Sequence, residues 1–244
     1  MTTDKLGQTS HHVVAVVPAA GRGVRMGGTT PKQFLSLGGI PLLVYSLQTL
    51  NAVESISEII VVIPEADRQY CQEAVVDRFN IQKVTHIVPG GRRRQDSVRH
   101  GVLSFQSQPD FVVVHDGVRP FVSRETVEQA VQSACIHGAA LVAIPMKDTV
   151  KRVNDHGVVE ETLPRDQLWL AQTPQVFRYS WLVEAHKMAE EKDIDATDDA
   201  GLVEQLGYPV TIVQGSSLNM KMTRPEDLAL GESILLRRTT QESQ

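Results

Sequence analysis

One segment near the start of the chain combines small residues with positive charge in a way that suits phosphate binding. Its small residues are Ala19, Ala20 and Gly21, which let backbone N–H groups come close to a ligand. Arg25 and Lys32 follow and can neutralise phosphate oxygens. Positions 13 to 33 hold three cations and no acid, although the net charge of the chain is −5. The segment therefore predicts a polyphosphate site, with the triphosphate of a nucleotide as the first candidate.

Two common phosphate-binding motifs do not account for this segment. A P-loop requires a Gly-Lys pair, which the sequence does not contain. The dinucleotide-binding pattern requires Gly or Ala where this chain has Met26, and an acidic residue about 20 positions later, where the chain is apolar. A glycine turn with solvated cations remains an alternative at this point.

Asp116 is the candidate metal ligand. It follows His115 at the end of an apolar run, where a carboxylate can hold Mg²⁺ while substrate phosphates supply further oxygens. The alternative is an Asp that caps the turn before Pro120. His115 has no metal-ligand spacing around it, so we assign it to packing or orientation.

Two further segments could contribute backbone groups and positive charge to the same ligand site. The glycines of the Gly90–Gly91 turn let the backbone reach a ligand, and Ser97 can cap the helix that follows. Of the three arginines after this turn, Arg94 is the functional candidate and the other two are interpreted as solvated. Lys221, near the last helix, is either a third cation on the phosphates or a solvated lysine.

The elements that must position these residues alternate between apolar runs and amphipathic stretches. The apolar runs are nearly continuous, as expected of parallel strands covered by helices on both faces. They span residues 13–17, 59–63, 84–88, 111–115, 140–145 and 210–213. The pattern predicts a single α/β domain over residues 1–244, with a Rossmann-like, doubly wound, mostly parallel sheet. Ligands of such sheets bind beyond the carboxyl ends of the strands, which is where the candidate residues lie.

Three other segments carry separate signals. Residues 147–169 alternate like strands around a turn, which predicts a projecting β-hairpin arm. Thr223 and Glu226 predict a capping box at the start of the last helix. The acidic stretch 184–204 is interpreted as a solvated helix and loop, apart from Thr197 and Asp198.

Composition excludes several classes of protein. The acidic balance, with 24 Lys and Arg against 29 Asp and Glu, argues against a nucleic-acid partner. Two cysteines far apart in sequence predict neither a disulfide framework nor a zinc site. The longest uncharged run contains glycines, a proline and polar residues, which argues against a membrane span. We expect a cytoplasmic protein.

Taken together, the motifs resemble the 2-C-methyl-D-erythritol 4-phosphate cytidylyltransferase family along nearly the whole chain. No single motif is decisive, but the ordered set is specific. The set comprises Pro18–Gly21, Arg25–Met26, Pro31–Gln33, Gly90–Gly91 with Arg94 and Ser97, His115–Asp116 with Arg119–Pro120, Asp148–Thr149, Thr173–Gln175, Thr197–Asp198 and Lys221 with Thr223–Asp227.

The resemblance implies transfer of CMP from the co-substrate CTP to a polyol phosphate, with Mg²⁺ as the cofactor. It assigns Arg25 and Lys32 to the triphosphate, Lys221 to the α-phosphate and Asp116 to Mg²⁺. The implied nucleotide-site residues are Ala19, Ala20, Gly21, Gly91 and Ser97, and the implied acceptor-site residues are Arg119, Thr149, Arg165, Thr173 and Thr197. The hairpin at 147–169 corresponds to a dimerisation arm, so a homodimer is expected in which Arg165 reaches the partner's site.

Three other functions stay open from the sequence. A ribitol 5-phosphate cytidylyltransferase would share the nucleotide half and differ around the acceptor. A sugar-1-phosphate nucleotidylyltransferase fits less well, because the chain is short and lacks an extended acceptor domain. A non-catalytic nucleotide-binding regulator would bind CTP without releasing pyrophosphate.

Overall fold

The structure, a computed structural model, describes residues 11–21 and 30–242. The strands in this part of the chain are β1 (Val13–Pro18), β2 (Ser36–Leu37), β3 (Ile40–Pro41), β4 (Ile56–Ile63), β5 (Val84–Pro89), β6 (Phe111–Val114), β7 (Ala139–Pro145), β8 (Val150–Val153), β9 (Val159–Leu163), β10 (Trp169–Arg178) and β11 (Thr211–Gln214). The α-helices are α1 (Leu42–Ala52), α2 (Arg68–Cys71), α3 (Arg94–Leu103), α4 (Arg124–His137), α5 (Tyr179–Glu191), α6 (Asp199–Gln205) and α7 (Pro225–Glu242).

A seven-stranded sheet in the order β11-β7-β10-β6-β1-β4-β5 forms the centre of the fold. Neighbouring strands are parallel except where β10 runs antiparallel between β6 and β7. All six apolar runs form strands of this sheet, so the mostly parallel α/β fold predicted from the sequence is confirmed.

Successive residues of β1 show why these runs are continuously apolar. Val13, Ala15 and Val17 pack into the core on one face of the sheet. Val14 and Val16 pack into a second core on the opposite face. Since both faces are buried under helices, neither set of alternating positions can be polar.

The sequence analysis missed β10, because its middle is polar. Gln172, Thr173 and Gln175 are buried in this strand. Their side chains are satisfied by specific partners: Gln172 Nε2 donates to the carbonyl of Ser216 at 2.9 Å, and Gln175 Nε2 donates to Asp198 at 2.8 Å. The pairing of β10 with β7 shifts register between Ala171 and Gln175. This strand brings polar groups into the middle of the sheet, beside β6.

The helices are positioned by close packing and by caps. A Cβ on Gly101 would lie 2.5 Å from Val16 Cγ1, so the glycine lets α3 approach β1 closely. At the start of α7, the backbone N–H groups of Thr223 and Arg224 donate to Asp227 at 2.7 and 2.8 Å. The predicted start of the helix is therefore right, but the acceptor is Asp227 and not the predicted Glu226.

The predicted hairpin is present as β8 and β9. The side chain of Asn154 organises its turn by accepting hydrogen bonds from the backbone of His156 and Val158. Most of the arm is exposed, including large apolar side chains. In the described part of the chain, no helix has the length and apolar character to cross a bilayer.

Candidate active site

A cleft of about 160 Å³ lies at the carboxyl ends of the parallel strands. It is bordered by the residues after β1, by the turn after β5 and by Asp116 after β6. Eight of the residues predicted for the nucleotide and phosphate site line it, namely Ala19, Ala20, Gly21, Lys32, Gly91, Ser97, Asp116 and Lys221. Arg25 lies outside the described residues.

Two glycines make the close packing of this cleft possible. A Cβ on Gly90 would lie 2.2 Å from the Cβ of Ala20, so the loop after β1 and the turn after β5 touch. The backbone N–H of Gly91 donates to Ser97 Oγ at 3.1 Å. Ser97 thus holds the turn, and the sequence-based prediction that it caps α3 is wrong, because Ser97 lies inside the helix. At the start of α3, Asp96 caps the helix instead by accepting from the backbone N–H of Arg93 at 2.9 Å.

Lys32 reaches the cleft from a short 3₁₀ turn, Lys32–Phe34. Gln33 and Phe34 are buried and anchor this turn, while the lysine side chain extends away from the core. A Cβ on Gly21 would lie 3.3 Å from Lys32 Cε and 3.5 Å from Nζ. The ammonium group therefore lies over the small-residue loop after β1.

Asp116 is surrounded by three cations. Arg94 Nε lies 2.9 Å from Oδ1, and Lys221 Nζ lies 2.7 Å from Oδ2. Arg119 Nε is 3.8 Å from Oδ2. Burial by itself would raise the pKa of Asp116, but the three positive charges outweigh it and hold the pKa well below its usual range. The carboxylate is therefore ionised at any physiological pH.

Asp116 suits a Mg²⁺ ion whose remaining ligands come from the phosphates of the substrate. Mg²⁺ in nucleotide sites commonly uses one or two carboxylates and keeps its remaining positions for phosphates and water. Within residues 11–21 and 30–242, no group of three His, Cys, Asp or Glu side chains could hold a metal by itself. Asp116 can thus contribute one ligand, but the described residues do not provide a complete set of metal ligands.

A second cavity of about 260 Å³ adjoins the first, and the two share Arg94, Asp116 and Lys221. Three predicted acceptor residues, Arg119, Thr173 and Thr197, line this second cavity. Thr149 and Arg165 do not line either cavity of the described chain, since both are exposed on the arm. The Arg165 guanidinium donates to the backbone carbonyl of Lys147.

His115 orients the wall between the two cavities. It is fully buried, with Nε2 3.3 Å from the carbonyl of Arg119 and Nδ1 3.1 Å from Thr173 Oγ1. Thr173 Oγ1 in turn accepts from the backbone N–H of Asp116 at 3.0 Å. Burial lowers the pKa of His115 to about 4, so the ring is neutral. These contacts agree with the predicted orienting role.

The sequence analysis missed a buried charged group behind the site. Asp199, which it placed in a solvated acidic stretch, is fully buried. Its carboxylate is 2.7 Å from Arg94 NH1 and 3.2 Å from His186 Nε2. Burial alone would raise the pKa of Asp199, but Arg94 and His186 hold it below its usual value. The helical spacing of Asp199 with Leu202 and Val203, which are buried too, is the signal that could have indicated an inward position.

The comparisons with known proteins agree with one another. Residues 13–237 match the family model described as 2-C-methyl-D-erythritol 4-phosphate cytidylyltransferase. Curated proteins of that name are 48% identical over 223 residues in Pelotomaculum thermopropionicum, covering 91% of this chain and 94% of that protein. In Desulforamulus reducens the identity is 45% over 227 residues, covering 93% and 97%.

Solved structures give the same result. The 4-diphosphocytidyl-2C-methyl-D-erythritol synthase of Anaerococcus prevotii superposes with a TM-score of 0.83 at 29% identity, covering 93% of this chain and 97% of that one. The 2-C-methyl-D-erythritol 4-phosphate cytidylyltransferase of Thermus thermophilus gives 0.75 at 34% identity, covering 92% and 98%. Because the matches span the sheet, both cavities and the arm, the chain belongs to the family of 2-C-methyl-D-erythritol 4-phosphate cytidylyltransferases.

Proposed function

We propose that the two adjoining cavities hold the two substrates of the family's reaction. In that reaction a cytidylyl group passes from CTP to 2-C-methyl-D-erythritol 4-phosphate, pyrophosphate leaves, and the product enters isoprenoid precursor synthesis. CTP occupies the cleft of Gly91 and Lys32, and the acceptor phosphate occupies the cavity of Arg119 and Thr173. The observation that carries this assignment is the convergence of Lys32, Asp116 and Lys221 on one cleft.

The chemistry requires alignment and charge neutralisation more than proton transfer. A phosphate monoester is already ionised near neutral pH, so it can attack the α-phosphorus without a general base. His115 supports this view, because it is neutral and both of its ring nitrogens are engaged. The barrier then lies in bringing two anions together and in stabilising the charge that develops on the departing pyrophosphate.

Asp116 and the cations around it meet this requirement. Mg²⁺ held by Asp116 would neutralise oxygens of the triphosphate. Lys221 lies where the two cavities meet, and its ammonium can turn from Asp116 to the α-phosphate. Lys32 neutralises oxygens of the triphosphate from the other side of the cleft, and the family resemblance assigns Arg25 to the same triphosphate. Arg119 and Thr173 bind the acceptor phosphate close to Lys221.

A pyrophosphate-release assay tests the function. The assay combines CTP, ATP, GTP or UTP with 2-C-methyl-D-erythritol 4-phosphate or ribitol 5-phosphate in the presence of Mg²⁺. We expect release only with CTP and methylerythritol phosphate. Faster pyrophosphate release with ribitol 5-phosphate would identify that compound as the acceptor. CTP binding without any pyrophosphate release would indicate a nucleotide-binding regulator.

We predict that Gly90→Ala weakens CTP binding by separating the two loops of the nucleotide cleft. The new Cβ would overlap that of Ala20 and lie 3.0 Å from Ser97 Oγ. We expect the KM for CTP to rise about tenfold, which is the lower range of overpacking costs. The matched control is the double variant Gly90→Ala with Ala20→Gly, which removes the overlap and should recover most of the affinity. An equal loss in both variants would contradict the packing explanation.

We propose that the arm joins two copies of the chain. The arm and the residue directly after it expose five large apolar side chains, which is more than isolated surface residues require. They are Val153, Val158, Val159, Trp169 and Leu170. A second copy of the arm is the partner that the family resemblance supports, and Thr149 and Arg165 would complete the acceptor site of that second copy.

Hybrid dimers test whether Arg165 acts across the interface. We expect Arg165→Ala alone to lower turnover about a hundredfold through loss of a charged contact with the acceptor phosphate. When Arg165→Ala and Lys32→Ala chains are co-expressed, each mixed dimer contains one complete site if Arg165 serves the partner. About a quarter of wild-type activity should then return. If Arg165 served its own chain, no mixed dimer would have a complete site and no activity would return.

A further inference from the structure

One guanidinium is shared by two carboxylates behind the proposed metal ligand. Arg94 Nε donates to Asp116 Oδ1 at 2.9 Å, and Arg94 NH1 donates to Asp199 Oδ2 at 2.7 Å. The Asp199 side chain is 0% exposed, so it cannot reach substrate. His186, with 4% of its side chain exposed, lies 3.2 Å from the other oxygen of Asp199. Neither Asp199 nor His186 has a role in the reaction as derived so far.

Arg94 ties Asp116 to the buried Asp199. Asp199 Oδ2 accepts from NH1 of the guanidinium, and Asp116 Oδ1 accepts from Nε. Because the guanidinium is held by Asp199, it fixes Oδ1 of Asp116, and Oδ2 faces Lys221 Nζ at 2.7 Å in the cleft. When Lys221 turns to the α-phosphate, as proposed above, Oδ2 is the oxygen that a cation beside the triphosphate would use.

Asp199 also offsets part of the positive charge around Asp116. Arg94, Arg119 and Lys221 carry three positive charges against the two negative charges of Asp116 and Asp199. Without the carboxylate of Asp199 the positive excess would rise from one charge to two, and a divalent cation would meet a larger repulsion at Asp116.

The surroundings keep this arrangement fixed. Arg94 begins α3, and its neighbour Gln95 clasps the segment before α6 by donating to the carbonyl of Ile194 and accepting from the N–H of Ala196. Gln175 of β10 accepts from the N–H of Ala200 in the first turn of α6. The first turn of α6, which carries Asp199, is thereby fastened to α3 and β10.

We propose that Asp199, which lies beside His186, is a positioning residue that anchors Arg94 and offsets part of the positive charge around Asp116, and so enables Asp116 to bind a divalent cation. This inference rests on the proposed metal-binding role of Asp116. It concerns residues that do not touch substrate, and it predicts an effect on metal affinity in addition to any effect on folding.

Binding of Mn²⁺ tests the proposal without turnover. The full chain is saturated with a CTP analogue that has a methylene group between the α- and β-phosphorus, and bound Mn²⁺ is measured from the loss of the free-ion electron paramagnetic resonance signal. We expect Asp199→Asn to weaken Mn²⁺ binding about tenfold, as for other residues that orient metal ligands. His186→Gln should produce a smaller shift in the same direction. Asp195→Asn, an exposed carboxylate in the same segment, is the matched control and should bind like the wild type.

The outcomes separate positioning from structure alone. If Asp199→Asn and His186→Gln are folded and bind Mn²⁺ as Asp195→Asn does, the inference is overturned. If Asp199→Asn does not fold, His186→Gln decides: a weaker Mn²⁺ affinity supports the inference and an unchanged one overturns it. Asp116→Asn is measured in parallel. Wild-type affinity in that variant would overturn the metal assignment itself, whereas its loss together with unchanged binding in Asp199→Asn would overturn the present inference alone.

Discussion

Replacing Lys32 with alanine is expected to lower the turnover of cytidylyl transfer about 10³-fold while the fold persists. The ammonium lies over the loop after β1 and faces the position proposed for the triphosphate. Its charge is needed most when negative charge grows on the departing pyrophosphate, so kcat should fall more than KM rises. Steady-state pyrophosphate release measures both parameters.

The fold should survive this substitution, because buried groups that the substitution leaves in place anchor the turn. Gln33 and Phe34 carry the burial, and the backbone carbonyl of Lys32 keeps its hydrogen bond from Leu35 N–H. Lys187→Ala is the matched control, since Lys187 is 73% exposed on α5 far along the chain. Turnover of Lys32→Ala within tenfold of the control would remove Lys32 from the catalytic group.

The architecture was predictable because burial on both faces leaves a simple trace in the sequence. The inner parallel strands β1 and β6 are continuous buried apolar runs, whereas the edge strands β5 and β11 are partly exposed and include polar residues. The candidate residues follow these runs at the edge of the sheet where ligands bind. Strand β10 left no such trace. Its buried Gln172 and Gln175 are tolerated through side-chain bonds to the distant Ser216 and Asp198, and such long-range bonds cannot be read from a local pattern.

The site was predictable in its residue types but not in its pairings. Asp116, Lys32 and Lys221 were candidates because their types suit phosphates and metal ions. Arg94 bridges Asp116 and Asp199, which lie 22 and 105 residues after it in the sequence, so no spacing rule could indicate these pairings.

The run of three arginines shows the same limit. Arg93 pairs with Asp96 at 3.0 Å, and Arg94 turns inward to two carboxylates. Arg92 is exposed but lines the nucleotide cleft. Three adjacent residues of one type thus have three environments, because the chain changes direction at the Gly91 turn and begins a helix within this run.

Asp116→Asn is expected to have the largest effect of all the variants, at least about 10³-fold on turnover, since it removes the proposed metal ligand and the charge that organises three cations. With neutral asparagine in its place, Arg94, Arg119 and Lys221 would face one another without the central anion. Breaking a buried ion pair by removing one partner commonly costs about 3 kcal/mol or more. We expect the free energy of unfolding, measured in urea, to fall by about that amount.

An added anion distinguishes this electrostatic explanation from simple misfolding. Pyrophosphate without metal should restore much of the lost stability to Asp116→Asn, because it supplies the negative charge that the three cations lack, and it should stabilise the wild type less. The pKa of Asp116 lies well below its usual range, so the wild-type carboxylate is charged throughout the pH range of the measurement and the comparison does not depend on pH near neutrality. The control is Asp195→Asn, whose stability should match the wild type with and without pyrophosphate. If Asp116→Asn is as stable as this control, or if pyrophosphate stabilises both variants equally, then the three cations do not depend on Asp116 as their common counter-ion.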